Sequence, residues 1–266
     1  MSSSEQDKTL ESKIAAASRE VERVRRLTYV DSRYVPDLID SLCELAKYRS
    51  RAGEPHRAER LYREALTHCA ESTVPVHPAL LFRINSLMAY HYDQSGRRED
   101  AVEHYESALR LAQRAPELEP VQVAVIHNNL GMLLKKEERF DDAETHYLEA
   151  LRLFEETGND DDPRLASVHN NLGVLHYSRH DFEKSRASHT AALNIRKRIY
   201  GAEGHHYDLG QTYNNLAAVH KAMGDYETAS AFFAKVEALG DSITPLSQRA
   251  IDDEDDSASL QLDEAI

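Results

Sequence analysis

Tryptophan is absent from this 266-residue sequence, glycine occurs 10 times, proline 8 times and cysteine twice. Such a glycine count excludes a Gly-rich β architecture, and no apolar run approaches the roughly 20 residues that span a bilayer. The opening stretch, MSSSEQDKTLESK, has no apolar core with a small-residue cleavage site. It is not a secretory signal, and a cytoplasmic location is expected. Cys43 and Cys69 fall at no metal or redox spacing and sit in helix-like stretches, so both are expected as reduced, structural thiols. Basic side chains are in deficit, 32 against 46 acidic, for a net charge of -14. With 41% apolar residues the chain is long enough for one large domain or two small ones.

What the sequence has is a repeat. The phrases IHNNLGMLLKKEERFDDAETHYLEALRLF, VHNNLGVLHYSRHDFEKSRASHTAALNIR and TYNNLAAVHKAMGDYETASAFFAKVEAL share one pattern with a period near 42. Small residues at Ala58, Ala101, Ala143, Ser185 and Ala229 open the second half of each unit, at spacings of 43, 42, 42 and 44. Five units thus fill residues 38–240. Five residues before each opener lies a turn position, held by Gly53, Gly96, Glu138, His180 and Gly224. Glycine at three of the five suits a helix end that needs a left-handed residue. Leu130 and Leu134, then Ala143, Tyr147, Ala150, Leu151 and Phe154, recur at intervals of three and four, so each unit reads as two amphipathic helices around a tight turn. Gly131, Gly173 and Ala217 leave room for a paired helix to approach, and Tyr62, Tyr105, Tyr147 and Phe233 are expected to fill the gaps between pairs.

An LG or LA pair, a small residue thirteen after the Leu, an aromatic four further on and an Ala-Leu three after that resemble the tetratricopeptide repeat. The longer period, the NNLG or NNLA phrases and the linkers DDPRLASVHNNL and GHHYDLGQTYNNL resemble the kinesin light chain type of that repeat. The resemblance covers about three quarters of the chain. The first unit departs from it, with Ser41, Leu42, Cys43 and Glu44 in place of the Asn pair, and the second carries Asn85 and Ser86. It implies an all-α, right-handed α-solenoid of five helix-turn-helix units and a non-enzymatic adaptor that holds a peptide or helix of a partner in a concave groove.

Residues 1–37 are expected to form a helical N-terminal cap, with Ile14, Val21, Val24 and Leu27 on one face and Arg19, Arg23, Arg25 and Arg26 supplying a polar outer surface. A docking helix for a partner is the alternative. Residues 241–266 form an acidic tail in which 1 basic minus 8 acidic residues gives -7, half the net charge of the chain. Its composition reads as disordered and solubilising up to about Ser257, with SLQLDEAI able to form a short helix when docked. Its docking into the protein's own groove, as an autoinhibitory segment, is the sharper reading.

The first helix of each unit is expected to line the groove. The stripe collects Asp40, Cys43, Lys47, Ser50 and Arg51; Arg83, Ser86, Tyr90 and Asp93; Val125, Asn128, Met132, Lys135 and Lys136; Ser167, Asn170, Val174 and Tyr177; and Gln211, Asn214, Ala218 and Lys221. Six are basic and two acidic, the reverse of the balance of the whole chain. Asn is a poor helix-interior residue, yet Asn128-Asn129, Asn170-Asn171 and Asn214-Asn215 recur in register. A primary amide donates to a C=O and accepts from an N–H, and so binds extended chain without demanding a sequence. Ligand contact is therefore expected of the first Asn of each pair and a bond between repeats of the second. The resemblance implies peptide contact for Asn128, Asn170, Asn214, Lys135 and Lys221. Arg83 adds charge, and Tyr90, Met132, Val174 and Tyr177 offer apolar pockets. A basic wall favours an acidic ligand.

Other chemistry finds little support. There is no phosphate-cradling glycine loop, dinucleotide fingerprint or nucleophile elbow. His176 and His180 form an i, i+4 pair of the kind that binds zinc. Against the repeat pattern, however, His127 and His169 fill an aromatic slot taken by Tyr213 in the last unit, His189 replaces Tyr147, and His180 sits in a turn, so no metal and no cofactor are expected. His205 and His206 read as loop structure in a linker. Without a basic domain no nucleic acid is expected as a partner, and no membrane. A second functional reading is a regulator of a phospho-signalling partner, phosphatase-like or inhibitory, for which Gln94, Gln122 and Gln211 are available water-positioning residues. A third is a self-assembling scaffold that uses the open ends of the repeat array.

Overall fold

The computed structural model describes residues 3–73, 75–201 and 206–239. The acidic tail 241–266, with SLQLDEAI, and His205 lie outside them. Among the described residues there are eleven α-helices and no strand. They are α1 (Ser3–Thr28), α2 (Val35–Arg51), α3 (Pro55–Glu71), α4 (Pro78–Gln94), α5 (Arg98–Ala112), α6 (Pro120–Lys136), α7 (Phe140–Thr157), α8 (Pro163–Ser178), α9 (Phe182–Tyr200), α10 (Tyr207–Ala222) and α11 (Tyr226–Ala238), with a 3-10 turn at Ser32–Tyr34. The chain divides after Leu118 into two compact units. The first holds α1 and the pairs α2/α3 and α4/α5; the second holds α6/α7, α8/α9 and α10/α11.

Local chemistry accounts for the helix limits. Proline is the first residue of α3, α4, α6 and α8, where its missing N–H costs nothing and its fixed φ is already helical. The five first helices end alike. Gly53, Gly96, Glu138, His180 and Gly224 all take left-handed φ, between 60 and 81°. In each case the next N–H reaches back to the carbonyl five residues earlier: Glu54 to Arg49, Arg97 to Tyr92, Arg139 to Leu134, Asp181 to His176 and Asp225 to His220, at 2.8–2.9 Å. The turn residue's own N–H bonds the carbonyl three back, from Gly53 to Ser50 through Gly224 to Lys221. This double closure satisfies the helix-end carbonyls and turns the chain into the second helix.

Packing within a pair depends on a notch and a ring. A Cβ added at Gly131 would lie 2.8 Å from the Tyr147 ring, and one at Gly173 only 2.6 Å from the His189 ring. Glycine at these two places brings α6 against α7 and α8 against α9, so that Tyr147 and His189 are fully buried. Ser185, at the small opener of α9, is also buried and donates its hydroxyl to the Gly173 carbonyl at 2.7 Å. In the first unit α1 packs on α2, burying Val21 and Val24, and Arg25 bridges Glu22 of α1 and Glu64 of α3 at 2.5 Å.

Candidate functional site

The Asn pairs organise the first helices of the second unit, where α6 touches α8 and α8 touches α10. Asn171 donates its Nδ2 to Asn128 Oδ1 at 2.9 Å, and Asn215 donates to Asn170 Oδ1 at the same distance. The second Asn of one repeat thus clasps the first Asn of the repeat before it. Asn128 is wholly buried, and its own Nδ2 faces Asn129 Oδ1 at 3.2 Å and the Met132 sulfur at 3.7 Å. Asn170 is buried as well, and its Oδ1 meets His189 Nδ1 at 3.2 Å besides accepting from Asn215. Ligand contact, expected at both positions, meets amide oxygens already engaged by protein. One residue of shift around a helix turns a side chain by about 100°, which is enough to bring the first Asn into the seam between repeats.

Asn214 differs. It is half-buried, and its side-chain amide makes no hydrogen bond among the described residues. Met132 and Lys135 on α6, and Val174 and Tyr177 on α8, are likewise half-buried, while Lys221 on α10 is exposed. Tyr177 stands edge-on to Phe182, with ring centroids 5.4 Å apart. Six of the ten sequence-predicted site residues therefore lie on three neighbouring helices with part of their surface open: Met132, Lys135, Val174, Tyr177, Asn214 and Lys221.

In the first unit, Arg83 and Tyr90 are half-buried on α4. Arg83 is ion-paired with Asp40 of α2, so two members of the expected stripe spend their opposite charges on each other. A further network escapes sequence reading. Glu59 of α3 accepts from Tyr92 Oη at 3.1 Å, Arg97 at 2.9 Å and Arg63 at 2.8 Å, joining the two helix pairs of that unit. A parallel joint in the second unit ties Arg179 to Glu144 and Asp141, each at 2.9 Å. The legible signal was small: a Glu directly after the opener (Glu59, Glu144) and an Arg at the turn (Arg97, Arg179).

His127 and His189 are packed between helices. His127 and His146 place their Nδ1 atoms 2.9 Å apart, and burial, reinforced by the neighbouring imidazole, lowers the His127 pKa to about 4. Burial, with the Arg196 cation nearby, lowers that of His189 to about 3. Both rings are neutral at pH 7. His176 and His180 part company, the first buried on α8 with Glu144 3.9 Å away and the second exposed in the turn. Among the described residues no three His, Cys, Asp or Glu side chains gather as metal ligands, and no helix is long and apolar enough to cross a membrane. Burial also raises the Cys43 thiol pKa to about 12 and that of Cys69 to about 11, far from nucleophilic range.

Family models described as tetratricopeptide repeat match residues 122–198, 165–241 and 86–119. Among solved structures, BtubC (BKLC) from P. vanneervenii is 41% identical, with 86% of this chain and 90% of that chain covered and a TM-score of 0.76. A kinesin light chain-type protein of nearly identical TPR-like repeats from Podospora anserina is 18% identical over 81% of this chain and 99% of its own, with a TM-score of 0.64. The apo form of RapI is 19% identical over 77% of this chain and 70% of its own, at 0.67. The last two likenesses concern the fold alone. Among curated proteins none matches.

Proposed function

The chain belongs to the tetratricopeptide repeat family, and on that premise we propose that it is a non-enzymatic adaptor that takes an acidic peptide or helix of a partner protein on the first-helix face of its second unit. A protein–protein interaction scaffold is the role this fold supports. The observation that carries the finer reading is the row of partly open side chains on α6, α8 and α10, where Asn214, Lys135 and Lys221 supply polar contacts and Met132, Val174 and Tyr177 supply apolar ones. Asn128 and Asn170 act beneath this row as the clasps that hold its helices in register.

Lysines on such a surface give charge-assisted hydrogen bonds to carboxylates. Single exposed pairs contribute only about 0–1 kcal/mol, so affinity comes from several contacts together with the apolar pockets. A dissociation constant near the micromolar range, about -8 kcal/mol, suits such a site. The test is a selection from a displayed library of random linear peptides, run in parallel on the wild type and on an Asn214→Ala, Lys221→Ala variant. The reading expects peptides rich in Asp and Glu whose capture drops in the variant. Neutral or basic winners, or acidic ones held equally by both proteins, would overturn it.

A further inference from the structure

Two second helices of the second unit carry opposite charge at matching places. In α7 six acidic side chains stand against Arg152 alone, whereas in α9 five basic side chains stand against Glu183 alone. Counted from the small openers Ala143 and Ser185, the signs oppose position by position. Asp142 matches Lys184 one residue before the opener, and Glu144 matches Arg186 one after it. Further along, Glu155 matches Lys197 at twelve and Glu156 matches Arg198 at thirteen. In the first unit the same four places hold Arg57, Glu59, Ala70 and Glu71 after one turn and Asp100, Val102, Gln113 and Arg114 after the next, with opposed signs at only two of them. Charge is thus sorted by helix in the second unit and mixed in the first.

The fold presents these two helices alike. Both pack on α8, and both follow a turn of the same left-handed closure, so they run in the same direction. Their exposed stripes coincide: Asp142, Thr145, Leu148, Arg152 and Glu156 on α7, and Lys184, Ala187, Thr190, Asn194 and Arg198 on α9. The middle of each stripe has no net sign. On α7 it holds Leu148, 51% exposed, and Arg152, which bonds Glu149 and Glu156 of its own helix; on α9 it holds small or neutral side chains. Most of the end charges have partners nearby: Asp142 with Arg139, Glu144 with Arg179, Lys184 with Asp181 and Arg198 with Asp161. Such surface pairs are individually weak, and carboxylate and guanidinium groups keep capacity for a second partner. Two residues before the openers both helices are acidic, at Asp141 and Glu183, and Arg179 already holds Asp141.

A two-fold axis set between α7 and α9 and along their length would lay α7 of one copy on α9 of the other, parallel and in register. The same operation repeats the contact at the second seam, so the interface closes on itself. Each of the four acidic positions then faces its basic counterpart, and Leu148 faces Thr190. We infer that the protein pairs with a second copy of itself through this α7–α9 face. The face uses none of the open residues on α6, α8 and α10, so the inference stands apart from the proposed peptide site.

The test is sedimentation velocity on the full chain over a rising concentration series at about 0.15 M salt. Wild type should pass from monomer to dimer and no further. Glu156→Arg and Arg198→Glu should each weaken dimerisation about tenfold or more, because one substitution places like charges at both seams. Mixed together, the two variants should recover a heterodimer, since one seam then carries the swapped pair and the other the native pair. Both positions are exposed, and unchanged helical circular dichroism checks that each variant folds; Leu148→Asp, at the centre, should also give monomer. A wild type that stays monomeric overturns the inference. So does a dimer that neither reversal weakens, a mixture that fails to pair, or growth into larger chains, which would mean a contact that does not close.

Discussion

Asn171 gives its side-chain amide to Asn128 Oδ1 across 2.9 Å, although the two residues lie 43 apart in sequence. Both are buried, so neither group has water to fall back on. Replacing Asn128 with Ala leaves the Asn171 donor unsatisfied, a loss of about 1–3 kcal/mol. The half-buried Asn214 has no such obligation. Urea denaturation should show Asn128→Ala clearly destabilised and Asn214→Ala unchanged, with the latter losing ligand capture instead. An equal loss of stability in both would contradict the division of roles between clasp and contact.

The notch at Gly173 is equally specific. Gly173→Ala sets a methyl group 2.6 Å from the His189 ring in a packed interior, where overfilling costs about 1–3 kcal/mol. Combining it with His189→Ala gives the methyl room, so the two changes should couple favourably in a double-mutant cycle. Strict additivity would remove the contact from the explanation.

Acid should loosen the second unit through its interior imidazoles. The folded pKa values of His189 and His127, about 3 and about 4, lie below the ordinary 6.5. Between those values the unfolded chain binds protons that the folded chain excludes, so stability falls as pH drops from about 6.5 and stops falling on their account only below the folded values. His189→Phe, which keeps a ring against Gly173, should flatten part of that decline when melting temperature is followed from pH 7 to pH 4. An unchanged slope would place the acid sensitivity elsewhere.

Glu138 and His180 occupy turns that the other three repeats give to glycine, and each holds φ at 60°. A left-handed residue with a Cβ costs about 1–2 kcal/mol. Glu138→Gly should therefore raise the denaturation midpoint, since the exposed side chain has little packing to lose. A lower midpoint would mean that the glutamate contributes more than its backbone strain removes.

Much of this fold is legible from residue order. The openers Ala58 to Ala229 and the turn residues Gly53 to Gly224 stand where the period of about 42 puts them, because backbone closure depends on local chemistry that recurs with the repeat. The orientation of the Asn pairs was not legible to the same degree. Successive helical residues cannot share a face, and only the spacing of 43 and 45 between clasp partners hints that one pair reaches the next. The engagement of Arg83 by Asp40 was hidden too, since a stripe of charges read from one helix at a time does not reveal which members neutralise one another. His189 looked like a substituted Tyr147, and the sequence carries no sign that its ring would meet Asn170.

Gly131 with Tyr147 and Gly173 with His189 are one lock cut for two keys. The turns that join each couple, at Glu138 and His180, share one geometry, so nothing in the connection ties a particular first helix to a particular second helix. The interface between consecutive repeats is less forgiving, because the clasp bonds belong to definite neighbours. A change inside one helix pair of such a chain is thus met by its own partner helix, while a change at a clasp Asn reaches the repeat beside it.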